Sequence, residues 1–135
     1  MDRVFLDANV LFSAAWRREA GLARFWDLKN VRLLTSGYAA EEARRNLPGE
    51  DRQARLDALL SRTELVTDAA PGTVTHEELL PEKDRPILQA AVQARATHLI
   101  TGDVTHFGPF FGRRLHGVLV LPPADYLRSK LTDSK

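Results

Sequence analysis

The sequence predicts an α/β fold with a mostly parallel sheet. Two observations carry this: short, continuous apolar runs recur along the chain, and the stretches between them place their apolar residues three and four positions apart. Runs that short, without polar alternation, suit strands covered on both faces. A chain of 135 residues has the size of one domain, set here at residues 1–135, and its 44% hydrophobic residues furnish a core.

The first run, Val4-Phe5-Leu6, ends at Asp7. Leu11, Phe12 and Ala15, then Leu22, Phe25 and Trp26, keep helical spacing, with Gly21 as a break between two pieces. Val31 to Leu34 reads as the second strand. Ser36 suits the N-cap of a helix through Tyr38, Ala39, Ala43 and Leu47, which Pro48-Gly49 stops. A further helix is expected over Asp51 to Ser61 and a strand at Leu65-Val66. Thr67 to Pro81, with Pro71-Gly72 inside it, reads as a connecting loop. Ile87, Leu88, Ala91 and Val92 form an apolar stripe whose start is marked by Asp84 and Pro86. His98-Leu99-Ile100 and Val118 to Leu121 complete the strands, and a short helix starting near Pro123 carries Tyr126 and Leu127. Phe107, Phe110 and Phe111, beside Pro109, read as a loop covering the core.

Composition narrows the chemistry. The chain has no cysteine, which excludes disulfides, thiolate zinc sites, iron–sulfur clusters and cysteine nucleophiles. Any metal must be held by oxygen or imidazole. A net charge of +1 gives no whole-molecule field toward nucleic acid or membrane. No apolar run approaches the roughly 18 residues of a transmembrane helix, and Met1-Asp2-Arg3 is unlike a signal peptide. The expectation is a cytoplasmic protein without a membrane partner.

In open parallel sheets, sites form at the carboxyl ends of strands, where the loops converge. Asp7 and Asp103 stand in that position, after the first and fourth strands. Asp84 has a local alternative, since an Asp N-cap stabilises its helix by about 1 kcal/mol. At roughly 100° per residue, Glu42 shares a helix face with Tyr38, Ala39 and Asn46, whereas Glu41 points with Arg44 and Arg45. If the four carboxylates converge, their repulsion requires protons or a cation. Oxygen ligands without cysteine select Mg²⁺ or Mn²⁺, whose natural reaction is phosphodiester hydrolysis by an activated water.

Four blocks in order carry a resemblance: Val4-Phe5-Leu6-Asp7-Ala8-Asn9, then Thr35-Ser36 with Glu42-Ala43-Arg44-Arg45-Asn46, then Lys83-Asp84-Arg85-Pro86, then Thr101-Gly102-Asp103-Val104-Thr105-His106-Phe107. Together they resemble the PIN-domain family, which includes the VapC toxins of bacterial toxin–antitoxin pairs. The resemblance runs from near residue 3 to the Val118 to Leu121 strand. It implies a three-layer α/β/α sandwich and a metal-dependent ribonuclease in which Asp7, Glu42, Asp84 and Asp103 hold the ion, with Asn9, Ser36 and Thr101 supporting the site. It also implies an RNA substrate, a small antitoxin partner and a homodimer. Many relatives carry a further acidic residue before the position of Asp84; here Pro81 and Glu82 stand instead.

Among the remaining signals, Arg44 and Arg45 are RNA-binding candidates because guanidinium suits bidentate phosphate contact and their helix also carries Glu42. His106, three residues after Asp103, reads either as a metal ligand or proton shuttle or as a structural residue. The competing functional class is a non-catalytic RNA-binding or protein-interaction module of the same fold. A binder of polyanionic RNA gains nothing from four cleft carboxylates without a metal, which favours the enzyme.

Overall fold

The computed structural model describes residues 1–69 and 80–133. These build a six-stranded sheet: β1 (Asp2–Leu6), β2 (Val31–Ser36), β3 (Glu64–Val66), β4 (His98–Ile100), β5 (Arg114–Leu115) and β6 (Val118–Leu121). The strand order is β3-β2-β1-β4-β6-β5. Every pairing is parallel except β5 with β6. The helices are α1 (Ala8–Ala15), α2 (Gly37–Asn46), α3 (Glu50–Leu60), α4 (Arg85–Gln93), α5 (Val104–Phe107) and α6 (Pro123–Asp133).

Val4, Phe5 and Leu6 are all 0% exposed. Successive side chains of a strand point to opposite faces, so β1 is covered on both sides. Leu99 and Ile100 of β4 are equally buried. The unbroken apolar runs in the sequence therefore reflect a sheet sandwiched between helices. α1 packs on α2 and α3, and its C-terminal carbonyls are closed from α3, where Arg55 donates to Ala15 O and Trp16 O and Arg52 to Trp16 O. Trp16, the aromatic left partly exposed at this end, lies under the Arg52 guanidinium at 3.8 Å. Phe25 and Trp26 belong to the core.

The structure departs from the sequence reading in several elements. Residues Gly21–Asp27 form a 3₁₀ segment after the break at Gly21. β5 is added as a two-residue antiparallel edge. The aromatic segment expected as a loop is helical, as α5 and a 3₁₀ turn at Gly108–Phe110, although it buries Phe107 and Phe110 as expected of a core cover. The final helix is longer than expected, at 11 residues. Most of the expected loop from Thr67 to Pro81 lies outside the described residues. No described helix is long and apolar enough to cross a membrane.

The two ends of the chain are joined through Tyr126. Its ring is 1% exposed, stacks on Phe25 at 5.8 Å and meets His98 edge-on at 4.9 Å. Its hydroxyl donates to Asp2 Oδ2 at 2.7 Å, and Lys130 Nζ pairs with the same oxygen at 2.8 Å. Hydrogen bonds to charged groups contribute about 1.5–3 kcal/mol, and Lys130 remains to hold Asp2. Tyr126→Phe is therefore expected to cost about 1–2 kcal/mol, read as a lower urea midpoint at unchanged slope.

Candidate active site

The strand order reverses between β1 and β4: β2 and β3 continue to one side, β4 and β6 to the other. Neighbouring loops diverge at such a switch point and leave a crevice beyond the carboxyl ends of the strands. Asp7 follows β1 and Thr101 follows β4, so sequence and topology bring both to this crevice.

Asp7 is 4% exposed and sits at the N-cap of α1. Its Oδ1 accepts the Ala8 N–H at 2.7 Å, and its Oδ2 accepts the Thr101 hydroxyl at 2.8 Å and Asn9 Nδ2 at 3.3 Å. Asn9 also donates to Thr101 Oγ1 and accepts the Gly102 N–H at 2.7 Å. Thr101 Oγ1 accepts the Asp103 N–H at 3.1 Å. Asn9 and Thr101 thus lock the end of β1 to the end of β4 and fix the Asp7 carboxylate between them.

Burial pushes the Asp7 carboxyl up to about 6; the Thr101 and Ala8 hydrogen bonds oppose the rise, while the charges of Glu42 and Asp84 add to it. Both acidic groups therefore act on Asp7 from across the crevice. Glu42 is half-buried and Glu41 exposed. Glu42 lines a cleft of about 420 Å³ with Ala8, Asn9, Phe12, Ala43 and Asn46. Its helix is oriented at the start by Ser36, fully buried, whose Oγ accepts the Ala39 N–H at 3.1 Å.

Asp84 does not take up the N-cap role that was its local alternative. It occupies the N-cap position of α4 but makes no side-chain cap. The 3₁₀ turn Glu82–Asp84 already gives it helical backbone angles (φ −97°, ψ −13°), whereas a capping side chain needs extended ones. Its carboxylate turns into the crevice instead. Asp84 Oδ2 lies 2.9 Å from His106 Nδ1, is buried, and accepts no hydrogen bond among the described residues. Burial raises its pKa and the Asp103 charge adds to the rise, against the charges of His106 and Lys83.

Asp103 caps α5, its Oδ1 accepting the His106 N–H at 3.0 Å, and its Oδ2 lies 2.9 Å from His106 Nδ1. One ligand atom each from Asp84, Asp103 and His106 fall within 4.8 Å of one another. Sequence reasoning left His106 open. The available signal was its three-residue spacing from Asp103, which sets its backbone N–H on the cap. It missed Tyr38 as a neighbour of the site. That residue lies one turn before Glu42, and its hydroxyl donates to Lys83 O at 2.6 Å, tying α2 to the turn that delivers Asp84. Burial raises the Tyr38 pKa, with Glu42 and Asp84 adding to the rise.

Arg44 is engaged with α3, at 2.7 Å from Asp57 Oδ1 and 3.2 Å from Gln53 Oε1. Arg45 is exposed on the same helix, and Glu82 is exposed in its turn. The donor set is carboxylate oxygen with one imidazole nitrogen, and one of its buried oxygens accepts no hydrogen bond among the described residues. That combination suits a hard divalent cation.

Comparison with known proteins gives the same frame. A family profile described as the PIN domain matches residues 3–105. Among solved structures, the chain resembles VapBC2 from Rickettsia felis, solved bound to a DNA fragment from their promoter, at 20% identity and a TM-score of 0.67, covering 89% of this chain and 98% of that one. It also resembles VapBC-1 from nontypeable Haemophilus influenzae (17% identity, TM-score 0.59, covering 90% and 98%). VapC20 of Mycobacterium tuberculosis, described as a Sarcin-Ricin loop cleaving toxin, aligns at 15% identity and a TM-score of 0.51, covering 74% and 91%. At these identities the likeness is one of fold. No curated protein sequence matches significantly. With three quarters of its length matched by the profile and its sheet order shaping one acidic crevice, the chain belongs to the PIN-domain family.

Proposed function

We propose that this protein is a metal-dependent endoribonuclease that hydrolyses RNA phosphodiester bonds, with Mg²⁺ or Mn²⁺ held by Asp7, Glu42, Asp84 and Asp103. The observation that carries the reading is the meeting of Asp84 and Asp103 at His106, within the electrostatic reach of the buried Asp7, where the buried Asp84 Oδ2 has no hydrogen bond among the described residues. Burial raises the pKa of Asp7 and of Asp84, and neighbouring carboxylate charges add to both rises. A bound divalent ion would relieve that repulsion, lower the pKa of a water and stabilise charge on the leaving oxygen.

The chain's own residues prepare the site. Thr101 and Asn9 hold Asp7 in one orientation, and ligating carboxylates fixed by such partners bind metal more tightly. Ser36 and Tyr38 set α2, and with it Glu42, against the Asp84 turn. Arg45, exposed on α2, is the residue this reading assigns to substrate phosphate, whereas the Asp57 pairing draws Arg44 toward α3. RNA is favoured as substrate by family membership and by the fold shared with a Sarcin-Ricin loop cleaving toxin. A small antitoxin protein is the partner this reading adds, in keeping with the fold shared with VapBC2 and VapBC-1.

The test is cleavage of a mixed RNA pool by purified protein. Cutting is expected with Mg²⁺ or Mn²⁺ and none in excess EDTA. Equal inactivity under every metal condition, with no Mn²⁺ bound by calorimetry, would return the fold to the non-catalytic binding class.

A further inference from the structure

We infer that His106 is a positioning residue whose Nδ1 gathers the Asp84 and Asp103 carboxylates so that both offer oxygens to one divalent cation. The inference rests on the metal-site reading above and assigns a role to a residue outside the four carboxylates.

Its basis is geometric. Both oxygens of Asp103 face His106: Oδ1 takes the backbone N–H at 3.0 Å and Oδ2 faces Nδ1 at 2.9 Å. The same nitrogen lies 2.9 Å from Asp84 Oδ2, although Asp84 arrives from a different element, the turn before α4. Two carboxylates converging on one atom repel, and unless a donor stands between them their side chains swing apart toward water. The His106 side chain is 29% exposed, against 14% for Asp84 and 22% for Asp103. The imidazole is therefore the most exposed of the three side chains.

The arrangement leaves ligand capacity free. A carboxylate oxygen has two lone-pair directions. Asp103 Oδ2 can accept from Nδ1 along one and face an ion along the other, and Asp84 Oδ2 has no hydrogen bond to give up among the described residues. The role needs an N–H at the Nδ1 position. Asparagine carries an N–H at the equivalent branch of its side chain, so it should substitute; a side chain without a donor should not.

The experiment titrates Mn²⁺ calorimetrically into the full chain as wild type, His106→Ala, His106→Phe and His106→Asn. Thermal unfolding in EDTA confirms the fold of each. His106→Phe keeps the ring and its volume should the smaller side chain fail to fold. Removal of a residue that orients metal ligands typically costs 10–100-fold in metal affinity. Such a loss is expected for Ala and Phe, with Asn within a few-fold of wild type. In RNA cleavage the defect should lie in the Mn²⁺ concentration needed for half-maximal rate, with the rate recovered at saturating Mn²⁺.

Unchanged or tighter Mn²⁺ binding by both His106→Ala and His106→Phe overturns the inference, as it would mean that the imidazole only fills space or competes with the ion. A wild type that binds Mn²⁺ but cuts none of the RNA pool points to a narrower or different substrate and leaves the His106 comparison decisive. A wild type that binds no Mn²⁺ overturns both.

Discussion

Asp103→Asn is expected to lower RNA cleavage by at least about 10²–10³-fold, the range seen when one preorganised electrostatic group is removed from an active site, while the protein stays folded. The substitution is clean because Asp103 has two separable tasks. Its Oδ1 caps α5 by accepting the His106 N–H, and asparagine caps as well as aspartate. Its negative charge is what a cation requires, and asparagine lacks it. Asp103→Ala removes both and should also destabilise the protein by about 1 kcal/mol. Cleavage of the RNA pool and thermal unfolding, measured on both variants from identical preparations, separate the tasks. Wild-type cleavage by Asp103→Asn would remove Asp103 from the site and with it the four-carboxylate reading.

What the sequence revealed follows from how each feature is encoded. β1 and β4 were legible because a strand buried on both faces must be a continuous apolar run, and Val4-Phe5-Leu6 and Leu99-Ile100 leave no other reading. Asp7 and Asp103 were legible for the same reason, being the polar residues that follow the ends of those runs. Glu42 could be preferred over Glu41 from helical phase alone. β5 escaped because two residues, one of them Arg114, carry no periodicity, and their strand character comes from pairing with β6. α5 escaped because a four-residue helix is defined by its Asp103 cap rather than by an apolar stripe. Asp84 was ambiguous because a general local rule, Asp before a helix start, competed with its place among the candidate ligands. The 3₁₀ turn that rotates its carboxylate inward depends on contacts such as Tyr38 to Lys83, 45 positions apart in the chain. His106 carried the same difficulty, since Asp84 meets it only through the fold.

Asp7→Asn should change the pH dependence of stability as well as abolish cleavage. In the metal-free folded protein the Asp7 carboxyl lies at about 6, against 3.8 for the free side chain. Its folded pKa is raised, so the folded state binds its proton more tightly than the unfolded chain does. That contribution to stability is complete below pH 3.8 and is lost as pH rises through about 6. The loss by neutral pH is on the order of 3 kcal/mol for a shift of this size. Asparagine does not ionise and removes this slope. It brings a cost of its own, because the Asp7 oxygens accept from Ala8, Thr101 and Asn9, and a carboxamide must turn its NH₂ toward at least one of these donors, at about 1–3 kcal/mol. The two stability curves should therefore cross. Wild type is expected to be the more stable near pH 4 and the variant to equal or exceed it near pH 7.5, read from urea midpoints in EDTA. Adding Mn²⁺ at pH 7.5 should raise the wild-type midpoint, because an ion that binds only the folded state stabilises it by mass action, and should leave the variant nearly unmoved. Parallel curves from pH 4 to 7.5 would show that the Asp7 carboxylate is already balanced without a cation, and the electrostatic case for a metal at this crevice would fall with it.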